Sequence, residues 1–192
     1  MPSLGSPQDR ELPLFAYGSL RPGELAFSLI EPLVSRHVEA TAAGVIRMRD
    51  GLPLLDPSAT GRVQGSLLFF PAGKLEEAWQ IVASFEPVTQ YRWKTTIAMT
   101  QDGRSINANV LAGAELQSGV SGDPVPEWSV GHDPVFGEGL AEVRRLVMEV
   151  APHVVPAQPD SPQFWRQFFR LQASYLLLWS VVERYTALHS RR

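Results

Sequence analysis

The sequence predicts an α+β fold, a small mixed or antiparallel β-barrel with helices packed on it. Three observations favour this class. Most of residues 12–112 consists of short strand patterns separated by turn signals. Two helical patterns, at 24–34 and 74–85, are inserted among these strands. The sequence also lacks the glycine-rich fingerprint that marks a doubly wound, nucleotide-binding sheet.

The totals exclude several classes of function. The 192 residues carry a net charge of −3, so no global field favours nucleic acid or an anionic membrane, and we expect neither partner. The chain has no cysteine, which excludes disulfides, thiolate ligands and a cysteine nucleophile. The four histidines are widely scattered and form no metal-ligand spacing. Residues 1–11 lack an apolar signal core, so we expect a cytoplasmic protein.

The elements of the predicted barrel follow from alternation, periodicity and turn residues. In chain order they are a loose leader at 1–11, strands at 12–17, 38–48, 61–70, 91–99 and 106–112, and a hairpin turn at 101–104. The first helix should end near Ile30 or Glu31, because Pro32 cannot continue it. Gly44 inside the second strand indicates a bulge or a close backbone approach. Residues 50–58 contain two turn signals flanked by leucines.

The C-terminal third has a different composition. Gly, Ser, Pro and Asp dominate the stretch that follows a barrel domain at 12–117, which predicts a linker or surface segment at 118–135. A helical extension at 136–192 comes next. Its last helix, 163–190, carries two adjacent apolar stripes. We therefore expect this helix to be buried in the same fold or against a second copy, as a homo-oligomer interface.

The loop after the first strand is the first candidate site. Gly18 permits a backbone turn that most residues would resist, which leaves the N–H groups of Gly18, Ser19 and Leu20 without sheet partners. Successive unpaired N–H groups form an anion-binding concavity, so we expect a cradle for a carboxylate or a phosphate. The alternative is a strand end and a turn packed against their neighbours.

Glu86 is the candidate catalytic carboxyl group. It follows directly on the second helix, where the negative end of the helix dipole disfavours the charged form. Desolvation by Phe85 and Trp79 would raise the pKa further, and a carboxyl group that titrates near neutrality suits general acid–base catalysis. Two alternatives stay open: a surface glutamate at a helix end, and an ion pair with Arg92 that would favour the charged form.

Five short motifs occur in a defined order along the chain. They are Tyr17-Gly18-Ser19-Leu20-Arg21-Pro22-Gly23, Asp50-Gly51-Leu52-Pro53-Leu54-Leu55, Val63-Gln64-Gly65-Ser66-Leu67-Leu68, Phe85-Glu86 and Tyr91-Arg92. Together they resemble the gamma-glutamylcyclotransferase-like family over about residues 12–112. The first motif is the most specific of the five.

The resemblance implies a small mixed β-barrel with flanking helices, and it also implies a reaction. The loop N–H groups would hold the α-carboxylate of a gamma-glutamyl substrate, within a substrate-binding set of Tyr17, Gly18, Ser19, Leu20, Tyr91 and Arg92. Glu86 would take a proton from the substrate's α-amine, which attacks the gamma-carbonyl, and would return it to the leaving amine. The products would be 5-oxoproline and an amine or amino acid, formed without a metal or a cofactor.

Three positions depart from the family pattern. Ala83 stands where an aspartate is frequent, Pro87 where a glycine usually follows the glutamate, and Trp93 where a second arginine is frequent. These departures leave a second hypothesis open. In it, the chain is a non-catalytic module of the same fold that binds a small carboxylate, or a partner through the C-terminal helix.

Overall fold

The structure, a computed structural model, describes residues 4–24, 26–49, 52–86, 91–113 and 121–128, together with Ala141 and Arg145. The chain divides into two compact units, 1–128 and 129–192. Of the predicted helical extension at 136–192, everything except the two helical residues Ala141 and Arg145 lies outside the described residues. The proposed oligomer interface at 163–190 therefore stays a prediction. Within the described residues, no helix has the length and apolar character needed to span a membrane.

The described residues of the first unit form two α-helices and eight strands. In chain order these are β1 (Leu14–Ala16), α1 (Phe27–Ile30), β2 (Arg36–Ala43), β3 (Val45–Arg49), β4 (Leu52–Asp56), β5 (Arg62–Phe69), α2 (Leu75–Phe85), β6 (Tyr91–Thr100), β7 (Ser105–Gly113) and β8 (Ser121–Val125). Short 3-10 turns at Glu31–Leu33 and Ala72–Lys74 follow α1 and precede α2.

Five of the strands close into a barrel. The sheet runs in the order β1-β5-β2-β6-β7, and β1 pairs with β7 as well as with β5. The β1–β7 pairing is parallel at Leu14 and Asn109, whereas the other four pairings are antiparallel. The strands β4, β3 and β8 extend the sheet beyond β7. The predicted fold class, α+β with a small mixed β-barrel and flanking helices, is confirmed.

The strand predicted at 38–48 is in fact two strands. Gly44 separates β2 from β3 with a φ of 125°, and a Cβ at this position would lie 2.6 Å from the carbonyl oxygen of Asp56. A side chain is therefore excluded both by conformation and by the approach of β4. The turn signals at 50–58 conceal the strand β4, which pairs with β3 as an antiparallel hairpin. Proline is tolerated at position 53 because β7 pairs with β4 at Leu55 alone, which leaves the β7 side of Pro53 outside the ladder.

The first helix is shorter than predicted. The helical pattern at 24–34 contains an α-helix over Phe27–Ile30 alone, and a 3-10 turn completes it. Its end at Ile30 agrees with the effect expected of Pro32. In the second helix, Ala78, Trp79 and Val82 are fully buried, which fixes the face that packs on the barrel. The last residue of this helix, Phe85, is also buried, so the end of α2 packs against the barrel.

The N-terminal leader is not loose, which corrects the sequence prediction. Trp93 donates its indole N–H to the Gly5 carbonyl at 2.9 Å, and Trp79 donates to the Arg10 carbonyl at 3.0 Å. Asn109 donates to the carbonyl of Asp9 at 2.6 Å. The attachment escaped prediction because it uses backbone carbonyls, which leave no mark in the side-chain pattern. We refer to residues 4–13 as the N-terminal strap.

Part of the predicted linker or surface segment at 118–135 belongs to the barrel unit. Strand β8 pairs with β3, and Trp128 is only 1% exposed. The backbone N–H of Gln64 donates to the Pro126 carbonyl at 2.8 Å. Arg21 forms an ion pair with Glu127 at 2.5 Å. A segment rich in Gly, Ser and Pro thus contains an edge strand, β8, and a buried side chain, Trp128.

Candidate active site

A pocket lies at the end of the barrel where β1 runs into the following loop. It encloses about 360 Å³, including its open mouth. Its walls come from β1, the loop, β4, the end of α2, β6 and β7. The lining residues are Leu14, Phe15, Ala16, Tyr17, Gly18, Ser19, Leu20, Pro53, Glu86, Tyr91 and Leu111. Sequence positions far apart in the chain thus share one small volume.

The loop, residues 17–23, is held in a tight turn. The Arg21 N–H donates to the Gly18 carbonyl at 3.0 Å, and the Ala26 N–H donates to the Ser19 carbonyl at 2.8 Å. These bonds use carbonyl groups and leave the N–H groups of the central turn residues outside the turn. Among the turn and loop hydrogen bonds of the described residues, none has the N–H of Gly18, Ser19 or Leu20 as its donor. The turn bonds therefore leave these N–H groups available, and the N–H cradle stays a prediction.

Gly18 is required for a reason other than the predicted one. Its φ does not lie in the left-handed region, which in this loop is occupied by Gly23 at 85°. A Cβ on Gly18 would instead lie 2.8 Å from the Cγ atom of Pro53, closer than side chains approach one another. Glycine at this position thus lets the loop and β4 meet at the pocket wall.

Glu86 enters the pocket from the end of α2. Its backbone N–H still donates to the Val82 carbonyl at 3.0 Å, while its own φ and ψ of −87° and 133° are extended. Burial raises the pKa of Glu86 from 4.5 to about 8, although the residue as a whole is only half-buried. No ion pair or hydrogen bond to the carboxyl group occurs among the described residues. Its charged form is therefore disfavoured, and no cationic side chain of the described residues neutralises it.

The apolar surroundings of Glu86 differ from those predicted. Phe85 and Trp79 are buried elsewhere in the core and do not line the pocket. The walls around Glu86 are supplied by Leu14, Phe15 and Leu111, with other residues of the barrel strands. The direction of the pKa change is as predicted, and burial is its cause.

The two tyrosines of the predicted site are buried deeply. Tyr17 and Tyr91 are each 4% exposed and line the pocket. Burial raises the pKa of both phenols, and the negative charge of Glu86 raises each of them further. In Tyr17, a hydrogen bond from the Leu55 N–H works in the opposite direction. Both phenols therefore stay neutral, and both lie within the electrostatic reach of Glu86.

Arg92 is not brought to the pocket. Its side chain is exposed, whereas that of the preceding Tyr91 is buried. Successive residues of a strand point to opposite faces, so β6 cannot present both side chains to one cavity. Glu86, Tyr17 and Tyr91 are consequently the ionisable residues among those lining the pocket. No group of acidic or histidine side chains suited to hold a metal ion occurs in the described part of the chain.

Pro53 is the pocket residue for which the sequence predicted no role. It belongs to the second of the five motifs, where it was interpreted as part of a turn signal. In the structure it is a buried strand residue, and its carbonyl oxygen accepts hydrogen bonds inside the site. The sequence signal was its position inside a leucine-rich run, which is typical of a buried strand as well as of a turn.

Comparison with known proteins finds similar solved structures but no matching sequence family. No protein-family model matches the sequence, and no curated protein sequence matches it. An uncharacterized protein from Pyrococcus horikoshii is 17% identical over 60% of this chain and 86% of that chain, with a TM-score of 0.45. A protein from Arabidopsis thaliana is 19% identical over 74% of this chain and 93% of its own, with a TM-score of 0.47.

A solved gamma-glutamyl cyclotransferase is also among the similar structures. It is 18% identical over 60% of this chain and 72% of that chain, with a TM-score of 0.39. This is the activity that gives its name to the family the sequence resembles. At such identities the likeness concerns the fold and does not extend to the chemistry of the pocket.

Proposed function

We propose that the protein is a gamma-glutamylcyclotransferase-type enzyme. It converts a gamma-glutamyl amine or amino acid to 5-oxoproline and a free amine, with Glu86 as the general acid and base. One observation carries the proposal: Glu86 and the loop residues Gly18, Ser19 and Leu20 line the same pocket. An anion cradle and a carboxyl group of raised pKa are the two parts that the reaction needs.

The loop is the binding half of the proposed site. The N–H groups of Gly18, Ser19 and Leu20, which donate in no turn or loop bond among the described residues, are the donors for the substrate's α-carboxylate. Because no lysine or arginine lines the pocket among the described residues, these backbone donors carry the recognition of the carboxylate. Holding this group also fixes the substrate's α-amine near its own gamma-carbonyl, which is a proximity effect.

Glu86 is the catalytic half. The lone pair of the α-amine forms a C–N bond to the gamma-carbonyl carbon, and the carboxylate of Glu86 takes a proton from that nitrogen as the bond forms. The carbonyl re-forms as the original gamma-amide C–N bond breaks, and the protonated Glu86 returns the proton to the departing nitrogen. No water is consumed, and Glu86 ends in its starting state. A pKa of about 8 lets one group accept and donate a proton near neutral pH.

Two of the three departures from the family pattern lie away from the pocket. Ala83 is buried in the face of α2, and Trp93 holds the N-terminal strap. Neither lines the pocket. The third, Pro87, lies outside the described residues. The departures at Ala83 and Trp93 therefore do not argue against catalysis by Glu86.

A non-catalytic carboxylate-binding module of the same fold is the second candidate. The observation in its favour is that Arg92 faces away, which leaves the pocket with backbone donors and a single carboxyl group. Such a site can bind a small carboxylate without turning it over. The two candidates make the same prediction for binding and opposite predictions for reaction.

The test is a panel of gamma-glutamyl amino acids and gamma-glutamyl amines incubated with the protein, with 5-oxoproline as the measured product. Release from at least one substrate supports the enzyme. If no member of a broad panel yields 5-oxoproline while the protein still binds 5-oxoproline or glutamate, the module hypothesis replaces it. Absence of both turnover and binding would refute both candidates.

A further inference from the structure

The hydroxyl groups of Tyr17 and Tyr91 are already committed within the protein. Tyr17 donates to the Leu111 carbonyl at 2.5 Å and accepts from the Leu55 N–H at 3.2 Å. Tyr91 donates to the Pro53 carbonyl at 2.9 Å. A phenol has one proton to donate, so neither hydroxyl retains a donor for a ligand in the pocket.

The bonds of Tyr17 join two strands that are weakly paired. β4 and β7 share one parallel pair, Leu55 with Ala112. The Tyr17 hydroxyl bridges these strands beside that pair, because one partner belongs to β4 and the other to β7. The carbonyl oxygen of Pro53 also lies near this hydroxyl, at 3.4 Å. Burial of both hydroxyl groups makes these bonds costly to lose.

The bond of Tyr91 fixes the part of β4 that faces the loop. Pro53 has no N–H of its own, and its carbonyl is held by Tyr91 from β6. The ring of the same proline packs where a Cβ of Gly18 would otherwise stand. A continuous series of contacts therefore runs from Tyr91 through Pro53 to Gly18 at the start of the N–H cradle.

We infer that Tyr17 and Tyr91 are positioning residues that hold Pro53 as the wall of the pocket, and that neither hydroxyl touches the substrate. The loop keeps its shape because Pro53 is held against Gly18, and Glu86 stays desolvated because the wall excludes water. Tyr17 and Tyr91 are the other titratable side chains among the lining residues, and both phenols stay neutral. Loss of the wall would therefore change the pKa of Glu86 by admitting water. This inference rests on the proposed function for its kinetic readout alone.

The first test is Tyr91→Phe in the full chain, with Trp93→Phe as the matched control. Both changes remove one hydrogen bond from β6 to a backbone carbonyl, but the bond of Trp93 goes to Gly5, outside the pocket. The pKa of Glu86 is measured by NMR on protein labelled with ¹³C at the glutamate carboxyl groups, and steady-state kinetics are measured on a gamma-glutamyl substrate.

We expect Tyr91→Phe to lower the pKa of Glu86 by about one unit, because a loosened wall admits water. We also expect KM to rise by about tenfold, as for one lost hydrogen bond, with a much smaller change in kcat. Trp93→Phe should change neither quantity. An unchanged Glu86 titration, or a loss confined to kcat, would overturn the inference, because either result is expected of a hydroxyl that contacts the reacting atoms.

A second measurement uses the unaltered protein and applies even if Tyr91→Phe fails to fold. Tyrosine labelled with ¹³C at Cζ is observed as 5-oxoproline is added. Positioning residues should keep their Cζ resonances while the backbone amides of the loop shift, whereas substrate contacts would move the Cζ resonances as well. Both NMR readouts are independent of turnover, so an inactive protein would refute the proposed function without deciding the role of the tyrosines.

Discussion

Replacing Glu86 by glutamine should make the protein more stable than the wild type at alkaline pH. The folded state raises the pKa of this carboxyl group from 4.5 to about 8 because it is buried. Between these pH values the folded chain keeps a proton that the unfolded chain has lost. The free energy of unfolding therefore falls as pH rises through this range, and it stops falling above about pH 8. Glutamine does not titrate and escapes this loss.

The magnitude follows from the same two values. Each pH unit in the interval costs about 1.4 kcal/mol, which over the rise from 4.5 to about 8 gives an upper limit of about 5 kcal/mol. About half a unit of this interval lies below pH 5, and residue 86 is partly exposed, so we expect the wild type to lose roughly 2 to 4 kcal/mol relative to Glu86→Gln between pH 5 and pH 9.

Urea denaturation at several pH values, followed by tryptophan fluorescence, measures this difference. Glu77→Gln is the matched control, since Glu77 lies on the same helix with a side chain 54% exposed. Its difference from the wild type should stay within about 0.5 kcal/mol at every pH. If the difference between wild type and Glu86→Gln is equally flat, Glu86 titrates as an ordinary surface glutamate. The reasoning from burial would then be refuted.

Two further substitutions test the loop and the strap. Gly18→Ala places a Cβ 2.8 Å from Pro53, so we expect kcat/KM to fall by about 10- to 100-fold. The control is Gly73→Ala, where a Cβ meets nothing within 4 Å, and it should leave kcat/KM unchanged. Asn109→Ala removes the donor to the strap and should cost about 1–3 kcal/mol in urea denaturation, whereas the exposed Asn107→Ala should be nearly neutral. Equal effects of a substitution and its control would contradict the corresponding contact.

The parts of the fold that were predicted correctly carry local signals. The end of the first helix follows from Pro32, and the second helix follows from the spacing of its apolar residues. The loop and Glu86 were found as candidates in the same way, because one is a strand end with a glycine and the other a helix end. That both line one pocket required the structure, since it depends on how β1 and α2 are placed on the barrel.

The parts that were missed depend on contacts between distant positions. Trp93 and Gly5 are 88 residues apart, and the bond between them joins a side chain to a backbone carbonyl. Such a bond leaves no periodic pattern, so the strap was interpreted as a loose leader. Pro53 was assigned to a turn because proline usually disfavours a strand. Its carbonyl oxygen lies within reach of the hydroxyl groups of Tyr17 and Tyr91, which come from the loop and from β6.

The outward position of Arg92 was predictable in principle. A strand that buries Tyr91 must turn its next residue to the other face, and the alternation of β6 was recognised in the sequence. The family resemblance named both residues as substrate-binding and so obscured this conflict. Local periodicity is therefore the better guide at that position.

The central claim is that Glu86 moves the proton in a cyclisation that takes place in this pocket. The most direct measurement is the rate of 5-oxoproline release by the wild type, Glu86→Gln and Glu77→Gln, on the same gamma-glutamyl substrate at pH 8. We expect the wild type and Glu77→Gln to have equal rates, and Glu86→Gln to be folded and slower by at least about 100-fold, the usual contribution of general acid–base catalysis. A folded Glu86→Gln protein that releases 5-oxoproline at the wild-type rate would contradict the account.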